Sequence, residues 1–171
     1  MHLILTVDHP HDEVRNLICF AAQHVEHPFD PSQVIVKVKN SRKWGYRGTA
    51  YPGIPKVSKG LAGHPGRLVT IGIGPAHWYP FVQSVARKPI EFNTWQEGLV
   101  FVAAHEFEHI RQFAANEKPT EWASNRVGLK ALEAYVSLKS SAAYRKRPGV
   151  STLYLPLTES SYLEPVRQAA D

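Results

Sequence analysis

Residues 102–113 read VAAHEFEHIRQF and combine a helical pattern with a possible metal site. Side chains four residues apart lie one turn above each other on a helix, so His105 and His109 would share one face, about 6 Å apart. Two imidazoles so placed can bind one zinc ion. Glu106 follows His105 directly, where its carboxylate can reach a water molecule beside the metal without becoming a ligand. The segment therefore predicts a helix that carries half of a metal site.

The flanking sequence predicts where this helix begins and ends. The segment TWQE starts with Thr94, whose hydroxyl can accept an N–H of the first turn while Glu97 reaches back, as in a capping box. Asn116 and Pro119 are stop signals. A second helix is predicted over residues 120–139. Apolar residues cover much of the first helix and predict that it is largely buried: Leu99, Val100, Val102, Ala103, Phe107, Ile110, Phe113 and Ala114.

Buried histidines and glutamates require partners, because a polar group without one is costly to bury. A metal ion would supply that partner. The alternative is that His105 and His109 are ordinary core or surface residues whose neighbouring glutamates pair with Arg111 and solvent. Glu108 and Arg111, three residues apart, are predicted to form an exposed ion pair without a chemical role.

No His or Cys follows His109 in the sequence, so a third metal ligand downstream of it has to be a carboxylate. Glu117 lies in the turn after the first helix, and Glu133 would lie about 18 Å beyond Glu121 along the second. Glu121 fits best if the chain reverses after the histidine helix. The alternative is that Glu121 only complements the positive end of the helix dipole. Asn125, one turn further on, could accept the free N–H of His105 and fix its tautomer.

The rest of the pattern predicts an α+β fold in one domain, residues 1–171. Strands are predicted at 2–7, 33–39 and 67–74, with a short one near 48–51, and an amphipathic helix at 12–25 backs the sheet. Residues 75–93 are predicted to be a connection with at most one helical turn. The lone Cys19 favours a reducing, cytoplasmic location, and no apolar stretch predicts a membrane span.

The net charge of +5 is unevenly distributed, because residues 31–90 contain ten Lys and Arg and no Asp or Glu. This asymmetry favours an acidic partner such as nucleic acid, although it is equally compatible with a solvated basic face. In KVKNSRKWGYR, residues 37–47, Trp44 and Tyr46 alternate with basic residues as in a stacking surface. An alternative function is therefore a nucleic-acid-associated binding module whose zinc is structural or vestigial.

HEFEH followed by EWASN resembles the gluzincin clan of zinc metallopeptidases, and most closely the minimal gluzincins and the ImmA/IrrE-like group that cleaves phage and stress repressors. The resemblance covers residues 94–139, roughly a quarter of the chain. It implies a zincin-like fold: a small mixed sheet, a backing helix, an active-site HExxH helix and a following glutamate helix. It also implies Zn²⁺ bound by His105, His109 and Glu121, with Glu106 as general base and Asn125 beside His105.

The activity that the resemblance implies is hydrolysis of a peptide or protein by a zinc-bound water that Glu106 deprotonates. In this clan the substrate commonly lies along an edge strand upstream of the active helix, and residues 67–74 are the candidate. Only eleven residues separate His109 from Glu121, fewer than in many gluzincins. An oxyanion-stabilising residue could be Tyr144, Arg145, Tyr154 or His77, whereas Tyr135 would lie about 21 Å along the helix from Glu121.

Overall fold

A computed structural model describes residues 1–26, 28–42, 45–56, 58, 60–61 and 66–141. The sequence-based expectations for residues 142–171 and for Trp44 lie outside these ranges. The elements follow in the order β1 (His2–Thr6), α1 (His11–Ala22), β2 (Val34–Asn40), β3 (Tyr46–Tyr51), β4 (Arg67–Ile73), β5 (Phe81–Val85), β6 (Lys88–Phe92), α2 (Trp95–Ala114) and α3 (Glu121–Ser140). Two short 3-10 turns precede β2 and β5.

The strands β1–β4 form a small mixed sheet in the order β1-β2-β4-β3. β1, β2 and β4 run parallel, and β3 is antiparallel to β4. Alternate side chains of β2, namely Val34, Val36 and Val38, are fully buried in the main core. α2 packs on β3 and β4, and both α1 and α3 pack against α2. The architecture is therefore α+β, with three helices and a small mixed sheet in the described residues, as the sequence predicted.

β4 is an internal strand, so the prediction that residues 67–74 form the sheet's edge was wrong. It pairs with β2 on one side and with β3 on the other. Its buried run Leu68, Val69, Ile71 and Ile73 is typical of a strand with neighbours on both sides and covered faces. β3 is the edge strand next to α2.

Residues 75–93 contain a β-hairpin that the sequence did not predict. β5 and β6 pair antiparallel around a two-residue turn at Ala86 and Arg87. Both turn residues have positive φ, 50° and 66°, which hairpins of this kind usually give to Asn or Gly. Because the turn lacks an Asn-Gly pair, the sequence predicts only a connection where the structure has a hairpin.

The predicted start of α2 is confirmed, with one difference. The Thr94 hydroxyl accepts the Glu97 N–H at 3.3 Å, but the Glu97 carboxylate accepts the N–H of Asn93, at 2.7 Å, one residue before the cap. α2 ends at Ala114, and Asn116 has a left-handed φ of 54°. α3 begins after Thr120, close to the predicted boundary. In the described part of the chain, no helix is both long enough and apolar enough to cross a bilayer.

Candidate metal centre

The turn between α2 and α3 reverses the chain within a few residues and is held by side chains of α2. Gln112 accepts the Thr120 N–H on its side-chain oxygen at 3.0 Å and the Glu117 N–H on its carbonyl at 2.8 Å. Arg111 donates to Glu117 at 2.7 Å. These bonds tie the connection to the last turn of α2, and they place Glu121 at the start of α3 beside the histidine face.

Arg111 also donates to Glu108, with three contacts of 2.9–3.0 Å. The predicted ion pair is present, but it is not exposed, because the Glu108 side chain is only 5% accessible. The prediction of an exposed pair was wrong because it used the spacing along α2 alone, whereas packing of neighbouring elements covers this face. Glu108 accepts from Arg111 and through this contact helps to fix the end of α2.

The structure brings His105, His109 and Glu121 together. The Nε2 atoms of His105 and His109 lie 3.4 and 3.3 Å from the two carboxylate oxygens of Glu121. One donor atom from each residue lies within 4.8 Å of the others. Ligands about 2.0–2.1 Å from a tetrahedral ion are separated by roughly 3.3 Å. The three side chains therefore have the donor types and spacing to hold a metal ion.

The protonation state of His105 favours metal ligation over an ion pair between a charged histidine and a carboxylate. Burial lowers the pKa of His105 to about 4, and the neighbouring His109 acts in the same direction, while Glu121 and Asn125 partly oppose them. His105 is thus neutral at pH 7 and has a lone pair available. Glu121 is 77% exposed, so the site opens to solvent on the α3 side.

Ser124 is a functional candidate that the sequence reasoning missed. Its hydroxyl oxygen lies 3.1 Å from Nδ1 of His109, and both residues are buried. If the hydroxyl accepts from Nδ1–H, the Nε2 lone pair of His109 is left facing Glu121. The sequence signal that could have identified Ser124 is its spacing from Glu121, because it lies one turn after that residue on α3.

Asn125 lines the same cleft as His105 and interacts with that ring. However, Nδ1 of His105 has no hydrogen-bond partner among the described residues. Asn125 therefore does not form a hydrogen bond to that atom. The predicted role of Asn125 as the group that fixes His105 stays a prediction.

Glu106 lies between α2 and the edge strand β3. Its carboxylate is 4.0 Å from Nε2 of His105, and the residue is only 5% exposed. Burial, reinforced by the charge of Glu121, raises the pKa of Glu106 to about 8, against a backbone hydrogen bond from Ala50. Any Cβ at position 48 would overlap the Glu106 side chain, so Gly48 is required for this close approach.

A cleft of about 580 Å³ runs past these residues. β3 forms one wall, the β5–β6 hairpin forms another through Gln83 and Ser84, and α2 and α3 supply His105, Glu106, Glu121 and Asn125. The unpredicted hairpin is thus part of the candidate site. Of the oxyanion candidates, His77 and Tyr135 do not line this cleft, and Tyr144, Arg145 and Tyr154 lie outside the described residues.

No protein-family model matches this chain, and comparison with curated proteins and with solved structures also found no match.

Proposed function

We propose that this protein is a zinc-dependent metallopeptidase with a zincin-like, gluzincin-type arrangement. One observation carries the proposal: two helix-borne imidazole nitrogens face a carboxylate from the next helix at 3.3–3.4 Å, with a further buried glutamate 4.0 Å from one of them. The cleft beside them is bounded by an edge strand.

Two imidazoles and one carboxylate are a common ligand set for catalytic zinc. His105, His109 and Glu121 would hold the ion, which supplies Lewis acidity toward water and toward a substrate carbonyl. Ser124 would orient His109 from behind. A cation at this position would also lower the raised pKa of Glu106, which favours its charged form.

Glu106 is the residue that we assign to proton transfer. Its carboxylate takes a proton from the attacking water and returns it to the leaving amine, so it ends the cycle as it began. Glu106 lies against β3, so a metal ion can reach it less easily than it can reach Glu121. The burial of Glu106 also keeps it from bulk water. These features suit a base better than a fourth ligand.

The free edge of β3 supports the choice of an extended peptide as substrate. β3 pairs only with β4 within the described sheet. A peptide can add to such an edge as a further strand, held by main-chain hydrogen bonds. We therefore assign the peptide-binding strand to β3, whose Gly48 touches Glu106, and not to residues 67–74.

The test combines metal analysis with cleavage of a peptide library. We expect about one zinc per chain in the wild type and in Glu106→Gln, reduced zinc in His109→Ala and Glu121→Gln, and cleavage only by the wild type. Glu133→Gln, which removes an exposed carboxylate of α3, is the matched control and should behave as wild type. Iron is measured as well, because the same ligand types also bind Fe(II). A protein that binds no zinc would contradict the proposal.

The alternative, a nucleic-acid-associated binding module, is favoured by the basic cavity that Lys39, Arg42 and Arg47 line on the other side of β3. Its aromatic component is weaker than the sequence predicted, because Tyr46 is 7% exposed and packs in the core. Zinc binding without cleavage, together with salt-dependent binding of random DNA, would favour this alternative.

A further inference from the structure

The outer face of the sheet, opposite the α2 side, carries a row of aligned residues. Strand pairing places Thr6 beside Lys39, Lys39 beside Gly72, and Gly72 beside Arg47. Alternate residues of a strand share a face, so the next row on this side contains Ile4, Lys37, Thr70 and Thr49. Lys37, Lys39, Arg47 and Thr49 are exposed. The two rows form a basic, hydroxyl-rich surface.

Gly72 leaves a gap in the first row. Ser41 lies over Gly72, and both residues line a cavity of about 700 Å³ that also reaches Lys39 and Arg47. Its charged lining consists of Lys39, Arg42 and Arg47, with no carboxylate, and none of the three pairs with an acidic group among the described residues. Asp8, which is not part of the lining, accepts from Asn40 at 2.8 Å. The cavity therefore has uncompensated positive charge.

β3 separates this basic cavity from the candidate metal cleft, and Arg47, Gly48 and Thr49 line both. Gly48 faces Glu106, whereas Arg47 and Thr49 belong to the outer face. The side chains of a strand added to the free edge of β3 would alternate between the same two faces. Half of its side chains would point into the metal cleft and the other half toward Arg47.

We infer that this basic outer face (Lys39, Arg42 and Arg47) selects substrates with acidic side chains at alternate positions of the strand that binds along β3. The inference rests on the proposed function for the placement of that strand. Carboxylates on the outer side would lie opposite Arg47, which binds them well through its planar fork. Carboxylates on the inner side would point away from these cations. Alternating acids are therefore favoured over contiguous ones.

An acidic peptide fits this surface better than nucleic acid does. Among the described residues that line the cavity, none has an aromatic side chain on which a base could stack. The cavity also adjoins a strand edge, which matches the main chain of a peptide. Arg47, on β3, would contact a carboxylate of the added strand directly, whereas Lys39, on β2, acts through its charge from two strands farther into the sheet.

The test measures binding separately from cleavage. Fluorescein-labelled peptides of one length carry three Glu at alternate positions, three contiguous Glu, or three Gln at the alternate positions. Their affinities for zinc-loaded Glu106→Gln protein are measured by fluorescence anisotropy. The same background then receives Lys39→Gln with Arg47→Gln, or the control pair Lys118→Gln with Lys130→Gln, which removes the same charge from exposed sites outside the cavity.

We expect the alternating Glu peptide to bind about threefold to tenfold more tightly than the other two, since each exposed charge contact contributes little. The preference should disappear in the Lys39/Arg47 variant and persist in the control pair. Equal affinity for alternating and contiguous Glu would overturn the inference, as would displacement of the peptide by equimolar single-stranded DNA. A wild type that cleaves all three peptides equally also overturns it and leaves the proposed function intact. Selective binding without any cleavage contradicts only the proposed function.

Discussion

Glu106 and Glu121 both approach His105, but water surrounds only one of them: their side chains are 7% and 77% exposed. An exposed carboxylate can move onto a metal and remain charged without one. A buried carboxylate without a cation is driven toward its neutral form. Burial therefore distinguishes the two carboxylates and suits them to the different roles that we propose.

Burial of Glu106 predicts a pH-dependent stability of the metal-free protein. Its pKa is about 8 in the folded chain, against an ordinary value of 4.5. Between these values the folded state holds a proton that the unfolded state has released, so stability falls as pH rises through this window. The side chain of Glu106→Gln does not titrate. The difference in free energy of unfolding between Glu106→Gln and the wild type should therefore increase by a few kcal/mol from pH 5 to pH 8.5, at about 1.4 kcal/mol per pKa unit.

Urea unfolding of both proteins with a chelator, at a series of pH values, measures this difference. Glu133→Gln, an exposed substitution, provides the baseline and should show no comparable trend. A difference between wild type and Glu106→Gln that is constant across the window would contradict the burial argument.

Gly48→Ala should impair catalysis without removing the metal. The new methyl group would overlap the Glu106 side chain, but His105, His109 and Glu121 are not among its neighbours. A displacement of the base by about 1 Å can reduce the rate by about 100-fold. Zinc content should be unchanged, and peptide cleavage measures the loss. Gly53→Ala is the control, since nothing lies near its added methyl group; equal activity of the two variants would rule out the contact.

Ser124→Ala should weaken metal binding, because Nδ1 of His109 loses its hydrogen bond to the Ser124 hydroxyl. Removing such a supporting hydrogen bond typically lowers metal affinity by about 10–100-fold. Competition with a zinc chelator measures the affinity. Ser137→Ala, on the exposed side of α3, should retain the wild-type value. Unchanged affinity in Ser124→Ala would remove Ser124 from the site.

At the scale of elements, the α2–α3 connection determines whether the metal centre exists. His105 and His109 are fixed relative to each other by helix geometry, but Glu121 depends on a tight reversal. Arg111 and Gln112 hold that reversal. Close packing of the two helices supports it: a Cβ at Gly128 would lie 2.9 Å from the Phe101 ring. Glu121, the proposed third ligand, is therefore placed by residues outside the candidate metal site.

Arg111→Met should destabilise the protein and weaken zinc binding together. It leaves the buried carboxylate of Glu108 without its cation, a loss on the order of 3 kcal/mol, and it releases Glu117. Thermal or urea unfolding and zinc competition measure the two effects. Glu117→Gln, which removes only the half-exposed partner, should have the smaller effect on stability. An Arg111→Met protein with wild-type stability would contradict this role.

On the scale of the whole molecule, the sheet, α2 and α3 enclose a site to which each contributes. β3 positions Glu106, α2 carries the histidines, and α3 brings Glu121. A metal bound at this point would link two helices that are otherwise joined by packing and by one short turn. Because the metal would bind only the folded state, its binding free energy would add to the free energy of unfolding.

Zinc should therefore raise the melting temperature. Free zinc at about 1,000 times its Kd adds about 4 kcal/mol, and each kcal/mol raises Tm by roughly 2–4 °C in a chain of this size. A chelator should reverse the shift. His109→Ala should lose most of it, whereas Lys130→Gln should keep it. An equal shift in His109→Ala would mean that zinc stabilises the protein at another place.

Local interactions made part of this protein predictable from its sequence. The cap at Thr94, the stop near Asn116 and the shared face of His105 and His109 depend on residues within about four positions of one another. The coarse α+β class also follows from local periodicity. Glu121 could be predicted as the third ligand because few acidic residues follow α2. Of these, only Glu121 lies where a short reversal of the chain would bring it beside the histidines.

Long-range pairing decided the rest. The sequence pattern of residues 67–74 predicts a strand but cannot say which strands flank it, and β3, not β4, proved to be the edge. The turn at Ala86 and Arg87 lacks the residues that normally announce a hairpin. Ser124 and Gly48 have roles only because distant elements meet there. The sequence by itself determined which groups could bind a metal, since helix spacing is local, and only the tertiary structure decided what orients, buries and surrounds them.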